Sequence, residues 1–524
     1  MKLRTIVKIA ITSSVVLLCA GFALYSFFRL SAAEGKKDFN LYELVPPSAS
    51  AVFVTDDILE FVAEVDDLAC SKNQQYLYVS KLFSYLKQSL YALSEDTPHG
   101  LSRQMNQMLI SFHEPDNERN QVLYCRLGNG DKELVNRFVR KYISSLYPPK
   151  TFIYKGEEII IYPMADGDFL ACYLTSDFMA LSFQKKLIEN VIDAYKSGKS
   201  LADDSTFTGI RAPKKSAAAA TIYTRMQGMM GWTEFDMKMK DDFIYFSGIT
   251  HDADTCFAFI NQLRQQQSVK GFPGEVLPST AFYFSRQGIT DWVSLLSYGN
   301  AQGQSVPART SEVQNRDKEF SRYLMENAGQ DLVACLFQRE DTLQGAAAVL
   351  SLSVADVTEA ERMLRALVNA APADEGRRNP RITFCYTVNK AYPIYRLPQT
   401  TLFEQLTSFA EPTLDVYAAF YVGRLLLAPD ADALAHYIRQ LDKGEVLNGA
   451  MAYQTGMDHL SDSYHFMLMA DFDHIFQQSE NHVRFVPDFF LRNADFFRHF
   501  TLFVQFACAD GMVYPNIVLK YKSE

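Results

Sequence analysis

Residues 43–53 read ELVPPSASAVF, and residues 275–284 read EVLPSTAFYF. In each, an acidic residue and a proline turn lead into an apolar, β-prone run of the kind that opens a strand in a sheet. The two stretches start 232 positions apart (275 − 43) in a chain of 524 residues, which points to a second half that repeats the first. Three further pairs occur in the same order. A helix opens at Asp131 with Leu134, Val135, Phe138, Val139, Tyr142 and Ile143 on one face. Another opens at Asp356, with Val357, Met363, Leu364, Leu367 and Val368 apolar and Glu359 completing a capping box. The amphipathic stretch with Leu187, Ile188, Val191, Ile192 and Tyr195 closes at Ser197-Gly198, as a helix at 430–441 closes at Gly444. Each half ends in a hairpin, 234–250 about Asp241-Asp242 and 500–521 about Asp510-Gly511.

Between these markers the pattern alternates short strands with one-sided helices. Ile58, Phe61, Val62 and Val65 predict a helix over 57–68, and Leu82, Phe83, Leu86 and Leu90 predict one over 76–93. Strands are expected at 105–112, 121–127, 152–162 with a turn at Lys155-Gly156-Glu157, 168–173, 178–183 and 217–224. Strands in twos and threes joined by tight turns indicate antiparallel sheet. The expected fold class is therefore α+β: an N-terminal transmembrane helix, then two similar units, each an antiparallel sheet with helices packed on one face. The first unit would run over 40–270 and the second over 271–524, with a cleft between them as the natural place for a ligand.

The transmembrane expectation rests on residues 9–28, IAITSSVVLLCAGFALYSFF, from Ile9 to Phe28, which carry no charge. Twenty residues of helix span roughly 30 Å, the thickness of a bilayer's hydrocarbon core. Lys2, Arg4 and Lys8 precede the span, so residues 1–8 stay cytoplasmic and the bulk of the chain lies periplasmic or otherwise extracytoplasmic, joined by a tether at 29–39. A cleaved signal peptide is the competing reading, with Ser31-Ala32-Ala33 as the cleavage site.

Composition narrows the function. The chain carries a net charge of −10, and four positive and no negative charges fall in residues 1–30, which leaves −14 on the rest. That sign excludes nucleic acid as a partner and leaves the span alone to attach the protein to the membrane. Of eight cysteines seven lie outside the span, an odd number without C-x-x-C or metal-type spacing, and most sit in apolar runs where a small buried thiol fits. The common hydrolase, P-loop, zinc and dinucleotide motifs are absent from the sequence. One constellation combines imidazole and carboxylate: Asp458-His459, His465, Asp471, Asp473-His474 and His482, with Asp471, Asp473 and His474 the weak candidates for a metal. A strand at 467–470 separates them, so surface-polar residues flanking a strand is the simpler reading. No catalytic or cofactor-binding residue is expected. The seven phenylalanines of 485–503 read mainly as core, with a partner-binding face as the second reading.

The basic N-terminus, the single span, the P-x-x-x-x-V-F-V strand at Pro47 to Val54 and the sheet-to-helix segment GRLLLAPD from Gly423 to Asp430 resemble uncharacterised bacterial families of single-span envelope proteins with domains of unknown function. That resemblance implies a bacterial, extracytoplasmic protein and transfers no functional residue. Taken together, a membrane-anchored, non-enzymatic binding or scaffold protein of the cell envelope is expected, with a protein of the envelope as its partner. A metal-assisted hydrolase of envelope material and a periplasmic carrier of an apolar ligand are the alternatives.

Overall fold

A computed structural model of the chain describes residues 39–72, 103–113, 119–128, 131–138, 147–164, 167–211, 218–225, 231–250, 258–290, 292, 311–339, 346–371, 381–388, 390–397, 416–477, 486 and 488–522. The segment at 9–28, the helix expected over 76–93 and His482 lie outside these residues. Among the described residues no helix is long and apolar enough to cross a membrane. The architecture is mixed α and β on a large antiparallel sheet. Contacts divide it into two compact units, a smaller one of Met1–Ala49, Val54–Ile58 and Tyr85–Asp204 and a larger one of Ser50–Phe53, Leu59–Ser84 and Ser205–Glu524. Strand β1 (Ala51–Thr55) contributes residues to both, and helix α1 (Ile58–Asp67) follows it.

The smaller unit contains strands β2 (Met108–Phe112) and β3 (Gln121–Arg126) and helix α2 (Asp131–Phe138). Strands β4 (Lys150–Tyr154), β5 (Glu157–Pro163), β6 (Phe169–Leu174) and β7 (Phe178–Ser182) follow, then helix α3 (Lys185–Ser197). Its sheet runs β4-β5-β6-β7-β3-β2, antiparallel throughout. The β4–β5 turn places Lys155 at φ 48° and Gly156 at φ 83°, the pair of positive φ values that matches hairpin twist. Leu187, Ile188, Val191, Ile192 and Ala194 of α3 are buried, and the helix stops where Gly198 adopts φ 62°, ψ 27°. Tyr195, read from its spacing as part of the buried face, is instead 40% exposed. It falls in the last turn of α3, where its ring packs edge-on against Phe178 with one side left to solvent.

The larger unit adds strands β8 (Ala220–Thr224), β9 (Thr233–Lys240) and β10 (Phe243–Thr250), helix α4 (Ala258–Gln265), and strands β11 (Val269–Lys270) and β12 (Ala281–Gly288). Next come helix α5 (Ser311–Asn327), strands β13 (Ala328–Gln338) and β14 (Ala346–Val354), and helix α6 (Val357–Ala370). Strands β15 (Ile382–Tyr386), β16 (Ala391–Leu397), β17 (Val416–Tyr421) and β18 (Arg424–Ala428) lead to helices α7 (Ala431–Asp442) and α8 (Met451–Met457). The unit finishes with strands β19 (Ser463–Tyr464) and β20 (Phe466–Asp471), helix α9 (Phe472–Phe476), and strands β21 (Phe500–Ala509) and β22 (Met512–Tyr521).

Its main sheet is ordered β15-β16-β17-β18-β14-β13-β12-β20-β21-β22-β10-β9-β8, every pair antiparallel. The run β15-β16-β17-β18-β14-β13 reproduces, strand for strand, the order β4-β5-β6-β7-β3-β2 of the smaller unit. Likewise β20-β21-β22 mirrors β8-β9-β10 about the β10–β22 pair, where Phe246 lies opposite Ile517. That pairing is why β8–β10, read from the sequence as part of residues 40–270, pack with the larger unit.

A second expectation is corrected. Helices were expected on one face of the sheet, but in the larger unit they cover both. Val333, Cys335 and Phe337 of β13 pack in a cluster with Ala433, Leu434, Tyr437 and Ile438 of α7. Their neighbours Leu332 and Ala334 pack with Phe320 and Leu324 of α5 and Leu364 and Leu367 of α6. Strand β18 divides the same way, Leu426 and Ala428 to one cluster and Leu425 and Leu427 to the other. The cause is in the composition, since these strands are apolar at consecutive positions and bury both faces as strands covered on two sides do.

Candidate functional site

Four neighbouring strands of the larger unit, β13-β12-β20-β21, end on one edge of the sheet, and a cleft of about 410 Å³ opens there. Thr280 and Ala281 lead into β12, Gln338 and Arg339 close β13, Met469 and Asp471 close β20, and Thr501 opens β21 directly opposite Asp471. Leu447, Ala450, Ala452 and Tyr453, from the segment that leads into α8 and from α8 itself, form the remaining wall. Tyr453 is held by an edge-on contact with Phe284, ring centroids 6.1 Å apart. Gly274 permits this, because a Cβ there would lie 2.7 Å from the Tyr453 ring.

Two ion-pair systems fix the polar side. Arg339 Nη2 donates to Asp430 Oδ2 at 2.5 Å, while Asp430 Oδ1 accepts the Ala433 N–H at 2.7 Å and so caps α7. At the other end Asp471 caps α9, accepting the N–H groups of Asp473 at 3.1 Å and His474 at 3.5 Å. The same carboxylate accepts from Lys522 Nζ and faces His474 Nδ1 at 3.4 Å. Thr280 Oγ1 donates to Gln440 Oε1 at 3.0 Å.

The electrostatics follow from this crowding. Burial disfavours the ionised Asp471, but His474 and Lys522 outweigh it and hold the carboxyl below its usual range. The bond to Asp471 raises the pKa of His474, and partial burial works against it. Stability from the raised histidine is fully present below its unfolded pKa and is lost as pH rises through the folded one. Stability from the depressed carboxyl is present above its unfolded pKa and is lost as pH falls through the folded value. Denaturant midpoints of the larger unit should therefore decline as pH rises from 6 to 8, and His474→Gln should flatten that decline. An unchanged slope in the variant would contradict the pair.

Of the residues singled out in the sequence, Asp471 and His474 do meet, and both line the cleft. Among the described residues the others are not in the lining. His459 packs its ring against Phe243 and Tyr245, at 4.7 and 5.0 Å. His465 Nδ1 accepts the Cys508 N–H at 3.1 Å, and burial lowers its pKa. Asp473 contributes its backbone N–H to the cap on Asp471. Among the described residues no three His, Cys, Asp or Glu side chains are placed to hold a metal ion. Five of the six described cysteines are buried, and burial pushes the Cys172 thiol up to about 12, so these are packing residues with little thiolate character. Phe497, Phe500 and Phe503 of the aromatic run are buried.

The pairing of Arg339 with Asp430, and the place of Gln338 and Thr280 in the cleft, escaped the sequence reading. Arg339 and Asp430 are 91 positions apart, and the sequence shows Asp430 only as the start of a helix.

Comparison of the chain with protein families, with characterised proteins and with solved structures finds no match.

Proposed function

We propose that this is a membrane-anchored, extracytoplasmic binding protein of the bacterial cell envelope, held by the apolar helix expected at 9–28 and built from two similar units that arose by duplication. In this reading the cleft at the β12–β13–β20–β21 edge holds the ligand. One observation carries the choice of binding over catalysis: the cleft's carboxylate, Asp471, and its arginine, Arg339, already have their partners within the fold. A carboxylate that caps a helix and pairs with a lysine is a weak base, and it has little capacity left for a metal.

The lining favours an uncharged ligand with polar and apolar sides. Thr280, Gln338 and Thr501 offer neutral hydrogen bonds beside Phe282, Leu447 and Met469, whereas a charged ligand would be desolvated against carboxylate and arginine groups that already have partners. A purely apolar cargo suits this polar wall less well.

The test is to purify the full chain from its own membrane in mild detergent and look for a retained small molecule by native mass spectrometry, beside Ala450→Trp. The tryptophan is expected to fill the cleft and abolish retention. An identical ligand load on both proteins would move the binding site elsewhere. Bound metal with hydrolytic turnover would replace binding by the hydrolase alternative.

A further inference from the structure

The smaller unit carries an exposed apolar edge close to the point where the chain leaves for its N-terminus. Strand β4 is the outermost of its sheet, paired only with β5 among the described strands, and it exposes Phe152 at 42% and Ile153 at 70%. Its turn is tied to the end of α3. Lys196 Nζ donates to Lys155 O at 2.6 Å and pairs with Glu157 at 2.8 Å, while Tyr154 Oη donates to Asp193 at 3.1 Å. Next to Lys196 stands Tyr195, itself 40% exposed, and its ring packs edge-on against Phe39 with centroids 5.9 Å apart. Phe39 is the first described residue. Only eleven positions separate it from Phe28 at the end of the apolar stretch (39 − 28), a reach of at most about 40 Å.

We propose that the β4–β5 hairpin rests on the surface of the bilayer in which residues 9–28 are embedded, with Ile153 entering the interfacial region. This inference rests on the anchor reading given above. An apolar edge strand with one open side is an aggregation hazard unless something covers it. A membrane held within reach by a short tether is always present, at an effective concentration no free partner matches.

The charges around the hairpin set the character of the contact. Lys155 pairs with Asp193, Lys185 and Lys186 with Glu189, and Lys196 with Glu157. Three carboxylates offset all but one of these four lysines, so the contact is mainly apolar, and it should form on zwitterionic lipid with only a weak dependence on salt.

The experiment places the full chain in phosphatidylcholine vesicles as Ile153→Trp, with and without bromine on the lipid acyl chains, after a carbonate wash. The chain's own tryptophans, Trp232 and Trp292, are buried and give a constant background. Quenching of the new emission by brominated lipid, beyond that of the unsubstituted chain, is the expected result. A protein that survives the carbonate wash but shows no extra quenching keeps its anchor and loses this docking. Emission shifted to the blue without bromine quenching would assign the edge to a second protein strand instead. Release by carbonate would overturn the anchor and the docking together.

Discussion

Replacing Asp331 with alanine destabilises the larger unit by about 3–5 kcal/mol, the cost of leaving buried charges without their partner. Asp331 Oδ2 accepts from Arg286 Nε at 3.0 Å, and Oδ1 accepts from Ser353 at 3.2 Å and Arg424 Nη1 at 3.4 Å. All three charged side chains are 15% exposed or less. Arg286 continues to the carbonyl of Gly271 at 2.6 Å, and Arg424 to Ser351 Oγ at 2.6 Å. The carboxylate therefore joins β12, β13, β14 and β18, and its loss leaves two largely buried arginines without the carboxylate they share. Denaturant unfolding followed by tryptophan emission measures this directly, because both tryptophans lie in the larger unit. The midpoint should fall with the slope unchanged. A loss below about 1 kcal/mol, the scale of a solvated surface pair, would mean that water reaches the arginines.

Phe503→Ala has an effect of the same order, about 3–5 kcal/mol for a fully buried aromatic that leaves a cavity. Phe503 is 0% exposed on β21, and it fills the space beneath α8 so closely that a Cβ on Gly456 would lie 2.3 Å from the ring. Because α8 carries Ala452 and Tyr453 of the cleft wall, the substitution also unseats the candidate site. Ligand retention should fall together with stability. Retention at full strength in a destabilised protein would separate the cleft from α8.

Much of the fold is legible because its signals are local. Asp510-Gly511, which adopts φ 51° and 76°, and Lys155-Gly156 announce their hairpins, since few residue pairs tolerate two positive φ values. Helices α3, α6 and α7 show their buried faces at a spacing of three and four residues, and Asp356 and Asp430 cap the last two as their sequence positions predict. The recurring strand order supports the reading of two similar units, which four sequence matches first suggested. The one-sided helix layer was wrong because pairs such as Leu425 and Leu426 do not reveal which helix each will meet. The cleft was illegible for a related reason. Its walls come from Ser279 to Thr501, and the lysine that Asp471 meets, Lys522, lies 51 positions later. Asp331, whose loss is expected to cost as much as that of a buried aromatic, looks in the sequence like any acidic residue near the start of a strand.

The most direct test of an anchored, extracytoplasmic protein is labelling of the full chain in intact spheroplasts with a membrane-impermeant maleimide at Val388→Cys, a position 95% exposed in the larger unit. Anchoring outside the inner membrane predicts labelling before lysis, on protein that stays with the membrane after a carbonate wash. Labelling that appears only after the membrane is broken would place the bulk of the chain on the cytoplasmic side and contradict the proposal.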